Sequence, residues 1–242
     1  MPEVFSRYEF KYVLAQSTLI SIQRDIRNFM RHDEFVESKG SSSYVVRSLY
    51  FDNARWSNFY EKVDGVKLRR KFRIRTYGQF RSSGSPVFLE CKSRNNNRVS
   101  KVREQLSYQE CDEICKGRSD YLNEESSMVR YNFCLEMLRK RISPKVVIDY
   151  VREPYVSDHD GKFRVTFDSD LTGIANSSIW DAHDAVARWA SLLPEKSIME
   201  VKFNRRVPAW FHRIIQAYEL DRVSVSKYVL GVKRLQLAVD LS

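Results

Sequence analysis

The stretch Lys71-Phe72-Arg73-Ile74-Arg75-Thr76-Tyr77 constrains the fold more than any other part of the chain. An extended backbone sends successive side chains to opposite faces, so Phe72, Ile74 and Thr76 share one face while Lys71, Arg73 and Arg75 share the other. A strand of this kind belongs to a sheet with one apolar face and one strongly cationic face. The theme recurs. Glu9-Phe10-Lys11, Glu90-Cys91-Lys92 and Glu200-Val201-Lys202 are three copies of Glu-x-Lys in strand-like surroundings, and Lys101-Val102-Arg103 repeats the spacing with two cations. Arg164-Val165-Thr166-Phe167-Asp168 alternates polar with apolar in the same way, whereas Arg152 shares its face with Ile148 and Tyr150, which leaves its direction open.

Any one of these strands also suits a half-exposed antiparallel sheet carrying Glu–Lys pairs. Taken together, cations recur on seven separated strands and three carboxylates occupy matching positions. The arrangement that accounts for the set is a barrel with apolar faces outward under helices and charged faces inward. Unpaired buried charges cost several kcal/mol each, so such an interior needs water or counter-charges. A chain of phosphates supplies the counter-charges for Lys71, Arg73 and Arg75. A divalent cation accounts for Glu9, Glu90 and Glu200, which would otherwise repel the phosphates.

Strands are expected over 5–12, 44–51, 66–77, 86–93, 98–106, 145–152, 162–168 and 197–203 from their period-two patterns. Helices are expected over 18–31, 107–116, 126–140 and 208–220. Ser17 reads as the N-cap of the first, Ser107 and Glu110 as a capping box opening the second, and Pro208 as the first residue of the last. "YVLGVKRL" reads as a C-terminal helix, and Trp180 and Trp189, with Asp181 and Asp184, as a short helix or lid. The loops "YGQFRSSGSP" and "YVSDHDGK" lie on the surface in this reading, and no linker divides the chain into domains.

The chain of 242 residues carries 41 Lys and Arg against 31 Asp and Glu, a formal net charge of +10, which suggests an anionic partner without choosing one. No apolar run approaches the ~18 residues of a membrane span, and the N-terminus lacks a charged-then-apolar leader pattern, so a soluble cytoplasmic protein is expected. The four cysteines form no C-x-x-C pair, and the four histidines lack zinc spacing. A nucleic-acid-binding barrel would interleave aromatics with the cations for base stacking; here Phe72, Phe163, Phe167 and Phe203 fall opposite them, which argues against nucleic acid.

An ordered series of motifs, "RYEFKY" (7–12), "RSLYFDN" (47–53), "LRRKFRIRTYG" (68–78), "VFLECKSR" (87–94), "FRVTFDSDL" (163–171), "IMEVKFN" (198–204), "PAWF" (208–211) and "SVSKYVLGVKR" (224–234), resembles the VTC (vacuolar transporter chaperone) domain. That family lies within the CYTH, or triphosphate tunnel metalloenzyme, group. The resemblance implies an α+β fold built on a closed antiparallel tunnel of about eight strands, with a basic interior and helices outside. It also implies a polyphosphate polymerase that uses ATP or another triphosphate, inorganic polyphosphate, and Mn²⁺ or Mg²⁺. Lys11, Arg73, Arg75, Lys92, Lys101, Arg152, Arg164 and Lys227 match the tunnel's phosphate-gripping cations, with Arg103 a weaker match. Glu200 matches the metal-binding glutamate, with Glu9 and Glu90 as helpers, and Lys71 and Lys202 join the substrate-binding set by sharing faces with these residues.

Arg7 replaces the first glutamate of the wider group's opening Glu-x-Glu-x-Lys, which removes one metal ligand and fits transfer to a phosphate acceptor better than hydrolysis. A membrane or regulatory domain is not expected. Phosphoryl transfer of this type needs positioning and electrostatic stabilisation, with the acceptor phosphate as nucleophile. The motifs alone leave three readings open: a polymerase, a triphosphatase of the same fold, and a polyphosphate-binding module without turnover.

Overall fold

The structure is a computed structural model that describes residues 8–81, 85–95, 98–119, 122, 127–180 and 189–239. Arg7, Asp181, Asp184 and the tip of the 77–86 loop lie outside the described residues. Two compact units interleave along the chain. The first comprises Met1–Tyr44, Tyr150–Leu171 and Leu193–Val225, and the second Val45–Asp149, Thr172–Leu192 and Ser226–Ser242.

The first unit holds β1 (Tyr8–Ala15), α1 (Gln16–Ile26), β2 (Met30–His32), α2 (Glu34–Glu37), β10 (Lys196–Phe203) and α6 (Ala209–Ala217). It also takes the later part of β7 (Ser143–Ser157) and the earlier part of β8 (Arg164–Ala175). Its strands run in the order β1-β10-β8-β7, with β2 on β7. Period-two alternation buries Tyr12, Leu14, Val165, Phe167, Met199, Val201 and Phe203 on one face. Leu19, Ile22 and Ile26 of α1 and Phe211 and Ile214 of α6 pack on that face at helical spacing.

The second unit holds β3 (Tyr44–Asp52, from Val45), α3 (Ser57–Val63), β4 (Leu68–Tyr77), β5 (Val87–Asn95), β6 (Arg98–Leu106), α4 (Tyr108–Cys115), α5 (Met128–Lys140), β9 (Ala190–Ser191) and α7 (Lys227–Arg234). From β7 the order continues β3-β4-β5-β6, and β9 pairs with β8. Leu49, Phe51, Phe72, Ile74, Val87, Leu89 and Cys91 face Cys111 and Ile114 of α4 and Val129, Phe133 and Cys134 of α5. Phe133 lies edge-to-face with Phe51 and Phe72, ring centroids 5.1 and 5.3 Å apart.

All eight expected strands are present, but β1 runs on to Ala15, β7 to Ser157 and β8 to Ala175, each past the end that alternation marks. The α+β antiparallel architecture follows. Closure does not. The strand order ends at β1 and β6, and among the described residues no ladder joins them. The outer edge of β1 is instead met by the segment before α7, where the Val223 amide donates to the Lys11 carbonyl at 2.8 Å.

Several local expectations shift for identifiable reasons. α1 begins one residue before Ser17, with Ala15 at the cap and no side-chain cap, because β1 runs directly into it. It stops at Ile26 rather than 31, since Met30–His32 is drawn into a ladder with Tyr155–Ser157 of β7. Pro208 precedes α6 in an extended conformation instead of opening it. The capping box at α4 is present, Ser107 and Glu110 each closing on the other's backbone. Among the described residues no helix is long and apolar enough to cross a membrane.

Candidate functional site

With Phe72 and Ile74 committed to the second core, Lys71, Arg73 and Arg75 must project from the other face of β4. Register then decides what each one meets. Arg73 lies opposite Tyr50 on β3 and Glu90 on β5, and Arg75 opposite Ser48 and Phe88. Arg73 donates from Nε to Glu90 Oε2 at 2.7 Å and from Nη1 to the Tyr50 hydroxyl at 3.0 Å. Arg75 donates to Ser48 Oγ at 3.2 Å, and its Nη1 stands 3.8 Å from Glu90 Oε2. Lys101 of β6 closes the group, its Nζ 2.6 Å from Glu90 Oε1.

Burial alone would raise the Glu90 carboxyl, but Arg73, Arg75 and Lys101 together outweigh it and hold the group far below the usual carboxylate range. Tyr50 follows the same logic. Burial would raise its phenol, yet Arg73, Arg75 and Lys227 bring it below its ordinary value. Lys227, the first residue of α7, is buried beside this group.

Paired positions share a face, so the ladders define the charged surface that β4, β5 and β6 present beside Ser48, Tyr50 and Asp52 of β3. On β4 it presents Arg69, Lys71, Arg73 and Arg75; on β5, Arg94, Lys92, Glu90 and Phe88; on β6, Lys101, Arg103 and Gln105. These are eight cations against one carboxylate. Arg103, in register with Glu90, lies over the Phe88 ring at 4.7 Å, and Lys92 and Lys101 reach solvent.

The first unit has a second, differently balanced group. Antiparallel pairing sets Lys11 of β1 opposite Glu200 of β10 and Glu9 opposite Lys202, so the two Glu-x-Lys copies complement each other. Lys11 Nζ stands 3.2 Å from Glu9 and 3.3 Å from Glu200. Glu200 also meets Arg152 at 3.3 Å and Lys202 at 3.2 Å. Arg152, whose direction the sequence left open, grips buried Asp168 with two bonds of 2.6 and 2.7 Å. Burial would lower the Arg152 guanidinium, but Asp168, Tyr150 and Glu200 more than offset it, and its pKa rises well above the ordinary value. Arg164 is the outlier. It shares a row with Lys202 but is exposed, with Nε 3.5 Å from the Gly161 carbonyl.

Among the described residues no cluster of three or more His, Cys, Asp or Glu is placed to hold a metal ion by itself. Glu9 and Glu200, which share Lys11, fit the looser requirement of Mg²⁺ or Mn²⁺, for which one or two carboxylates suffice when substrate phosphates complete the shell. Glu90, in the second unit, is surrounded by cations as Glu200 is: its oxygens face Lys101 and Arg73, those of Glu200 face Lys11, Arg152 and Lys202.

Some residues around these groups carried no assigned role. Ser48 and Asp168 hold arginines in place, and both were within reach of the same periodicity: Ser48 alternates with Tyr50, and Asp168 shares a face with Arg164. Asp52 is structural, accepting from the Asn58 and Phe59 amides at the start of α3. Tyr60 donates to the Val239 carbonyl at 3.2 Å.

Comparison with known proteins agrees with this architecture. A protein from Bacillus halodurans, assigned provisionally as an adenylate cyclase, superposes with a TM-score of 0.57 over 91% of this chain and 95% of its own, at 11% identity. A Pyrococcus horikoshii OT3 protein follows at 0.47, with 12% identity over 96% and 98% of the two chains. The mimivirus capping enzyme triphosphatase reaches 0.32, with 7% identity over 88% and 89%. The first supports the fold; the other two superpose too loosely to add to it. The family model of the VTC domain matches residues 6–236, nearly the whole length over which the motifs are spread, and the chain belongs to the VTC domain family.

Proposed function

We propose that the protein is a metal-dependent phosphotransferase that lengthens inorganic polyphosphate with the terminal phosphate of ATP. The observation that carries this reading is the face of β4, β5 and β6, where eight cations accompany a single carboxylate. A surface with that imbalance, backed by a packed core, suits a ligand made of linked phosphates. Membership of the VTC domain family supports the same reading.

Arg73 and Arg75 would bind non-bridging oxygens, held in place by Glu90, Tyr50 and Ser48. Lys71, Lys92, Lys101, Arg103 and Lys227 would add positive charge around the chain. In the first unit, Glu9 and Glu200 would hold Mn²⁺ or Mg²⁺ together with substrate oxygens, while Lys11, Arg152, Arg164 and Lys202 supply cations. When bound, the ion neutralises phosphate charge and helps align the transferring group. The protein's own share is positioning and charge stabilisation, so neither Ser, Cys nor His has to act as a nucleophile.

The test is incubation of the purified protein with ATP and Mn²⁺, followed by gel analysis and assay of orthophosphate. Long chains with ADP and little free orthophosphate are expected. Orthophosphate alone would replace this reading with a triphosphatase. If ATP stays intact while tripolyphosphate still raises the melting temperature, the protein is a binding module.

A pH dependence follows from Lys71. Burial lowers its amine to about 7, with Lys62 and Arg69 adding to the effect and Asp52 and Glu61 opposing it. Below that pH the free protein already carries the ammonium, and affinity for tripolyphosphate is full. As pH rises through 7, binding has to take up a proton, so affinity falls by up to ~tenfold per pH unit from this group. Calorimetry at pH above 7 in buffers of different ionisation enthalpy should show proton uptake that shrinks in Lys71→Met. Uptake unchanged by that substitution would remove Lys71 from the site.

A further inference from the structure

Thr166 sits early in β8, and the alternation there fixes its direction. Val165 and Phe167 enter the core of the first unit, so Thr166 faces the other way, with Arg164 and Asp168. Antiparallel pairing sets it directly across from Glu200 on β10, and Lys11 of β1 completes the row on the far side of Glu200. Residues opposed in this way have Cβ atoms about 5 Å apart.

Thr166 is 7% exposed, and its Oγ1 is buried without a hydrogen-bond partner among the described residues. A hydroxyl in that state gives up its bonds to water on folding and makes none in exchange. Valine has the same shape, avoids that cost and suits a strand equally well. Thr76 and Ser197 are orphaned too, but they lie on core faces, Thr76 with Phe72 and Ile74, Ser197 with Met199 and Val201. Of the three, Thr166 alone lies on the face that carries Lys11, Glu200 and Arg152.

The charges nearby decide what the hydroxyl can meet. Arg152 binds Asp168, two residues along the same face of β8, at 2.6 and 2.7 Å, and Glu200, across from Thr166, at 3.3 Å. The guanidinium therefore spans the ground beside the hydroxyl. Lys202 and Arg164 stand abreast in the next row. On this side of Glu200 the positive charge of Arg152 favours an anion over a metal ion.

Resting on the reading of this group as part of a phosphate site, we propose that Thr166 is a further substrate-binding residue, its hydroxyl donating to a non-bridging phosphate oxygen held by Arg152. A hydrogen bond to an ionised oxygen is about twice as strong as one between neutral groups, which offsets the orphaned state of the free protein.

The test titrates tripolyphosphate in EDTA, so that no metal takes part, against wild type, Thr166→Val, Thr166→Ser and Lys202→Ala, and records melting temperatures with and without it. Thr166→Val should bind about tenfold more weakly, while Thr166→Ser stays within about threefold of wild type. Free Thr166→Val should melt no lower than wild type, because an unsatisfied group is lost and the packing is kept, and its shift on adding tripolyphosphate should be smaller. Wild-type binding by Thr166→Val would overturn the assignment, and so would a Thr166→Ser as weak as Thr166→Val. A free Thr166→Val that melts several degrees lower would show that the hydroxyl has an internal partner, and a loss seen only once Mn²⁺ is added would give it to the ion; either result sinks the idea. Lys202→Ala separates this inference from the reading it rests on. If Lys202→Ala and Thr166→Val both bind like wild type, the phosphate site in this unit is wrong; if Lys202→Ala alone weakens binding, the site stands and Thr166 falls.

Discussion

Arg73→Ala is expected to lower the rate of phosphate-chain synthesis by ~10²–10³-fold, the usual loss when one preorganised donor is taken from a developing anion. The side chain is fixed before any substrate arrives. Nε and Nη2 both lie 2.7 Å from Glu90 Oε2, and Nη1 donates to Tyr50. A guanidinium held at three points loses little further freedom on binding phosphate. Arg73→Lys should therefore rescue little, since one ammonium cannot bridge Glu90 and Tyr50 in the same way. Glu90→Gln makes the informative control. If Glu90 is the counter-ion that orients Arg73, its loss lets the surrounding cations repel one another. The variant should then melt earlier than wild type and recover when tripolyphosphate is added. The Mn²⁺ concentration needed for half-maximal rate should stay the same in Glu90→Gln and rise in Glu200→Gln. A shared rise in both variants would place Glu90 among the metal-binding carboxylates with Glu200. Full activity in Arg73→Ala would sink the proposed role of the second unit's cluster.

The strands were legible because their two faces obey different chemistry. Phe72 and Ile74 need a core, Arg73 and Arg75 do not, and an extended backbone is what separates them at every second residue. The core-facing helices were legible for a related reason: Leu19, Ile22 and Ile26 recur at helical spacing. Register was not legible. Nothing local tells Lys11 that it will face Glu200, or Lys71 that it will face Lys92, yet these pairings make one cluster balanced and the other strongly cationic. Short elements were missed where tertiary contacts create them. β2 exists through its pairing with β7, and α3 starts where Asp52 accepts two amides from residues six and seven positions on. Open strand order was also hidden, since strand count carries no information about whether the edge of β1 finds β6 or Val223.

Asp149→Ala is expected to cost about 3–5 kcal/mol of stability, because it leaves a buried guanidinium without its counter-charge. Arg47 is 1% exposed and pairs with Asp149 through two bonds, Nε to Oδ1 at 2.9 Å and Nη2 to Oδ2 at 2.8 Å. Its Nη1 donates to the Gln79 and Ile179 carbonyls, neither of which carries a full negative charge. Set against a typical net stability of about 5–15 kcal/mol, the loss is a large fraction of the whole. For a chain of this size it corresponds to a drop of roughly 10 °C in melting temperature. The pair stands in register with Thr76, on the face of β3 opposite to Ser48 and Tyr50, so activity per folded molecule should survive at low temperature. Replacing both partners, as in Arg47→Met/Asp149→Leu, should recover most of the loss, since the buried charge leaves with its partner. A single Asp149→Ala variant melting within a degree or two of wild type would show that Arg47 finds compensation elsewhere. The contrast with β4 is the physical point. In the core one cation is matched by one carboxylate, and the fold is complete without a ligand; on the β4–β6 face eight cations share one carboxylate, and that excess is available to a polyanion.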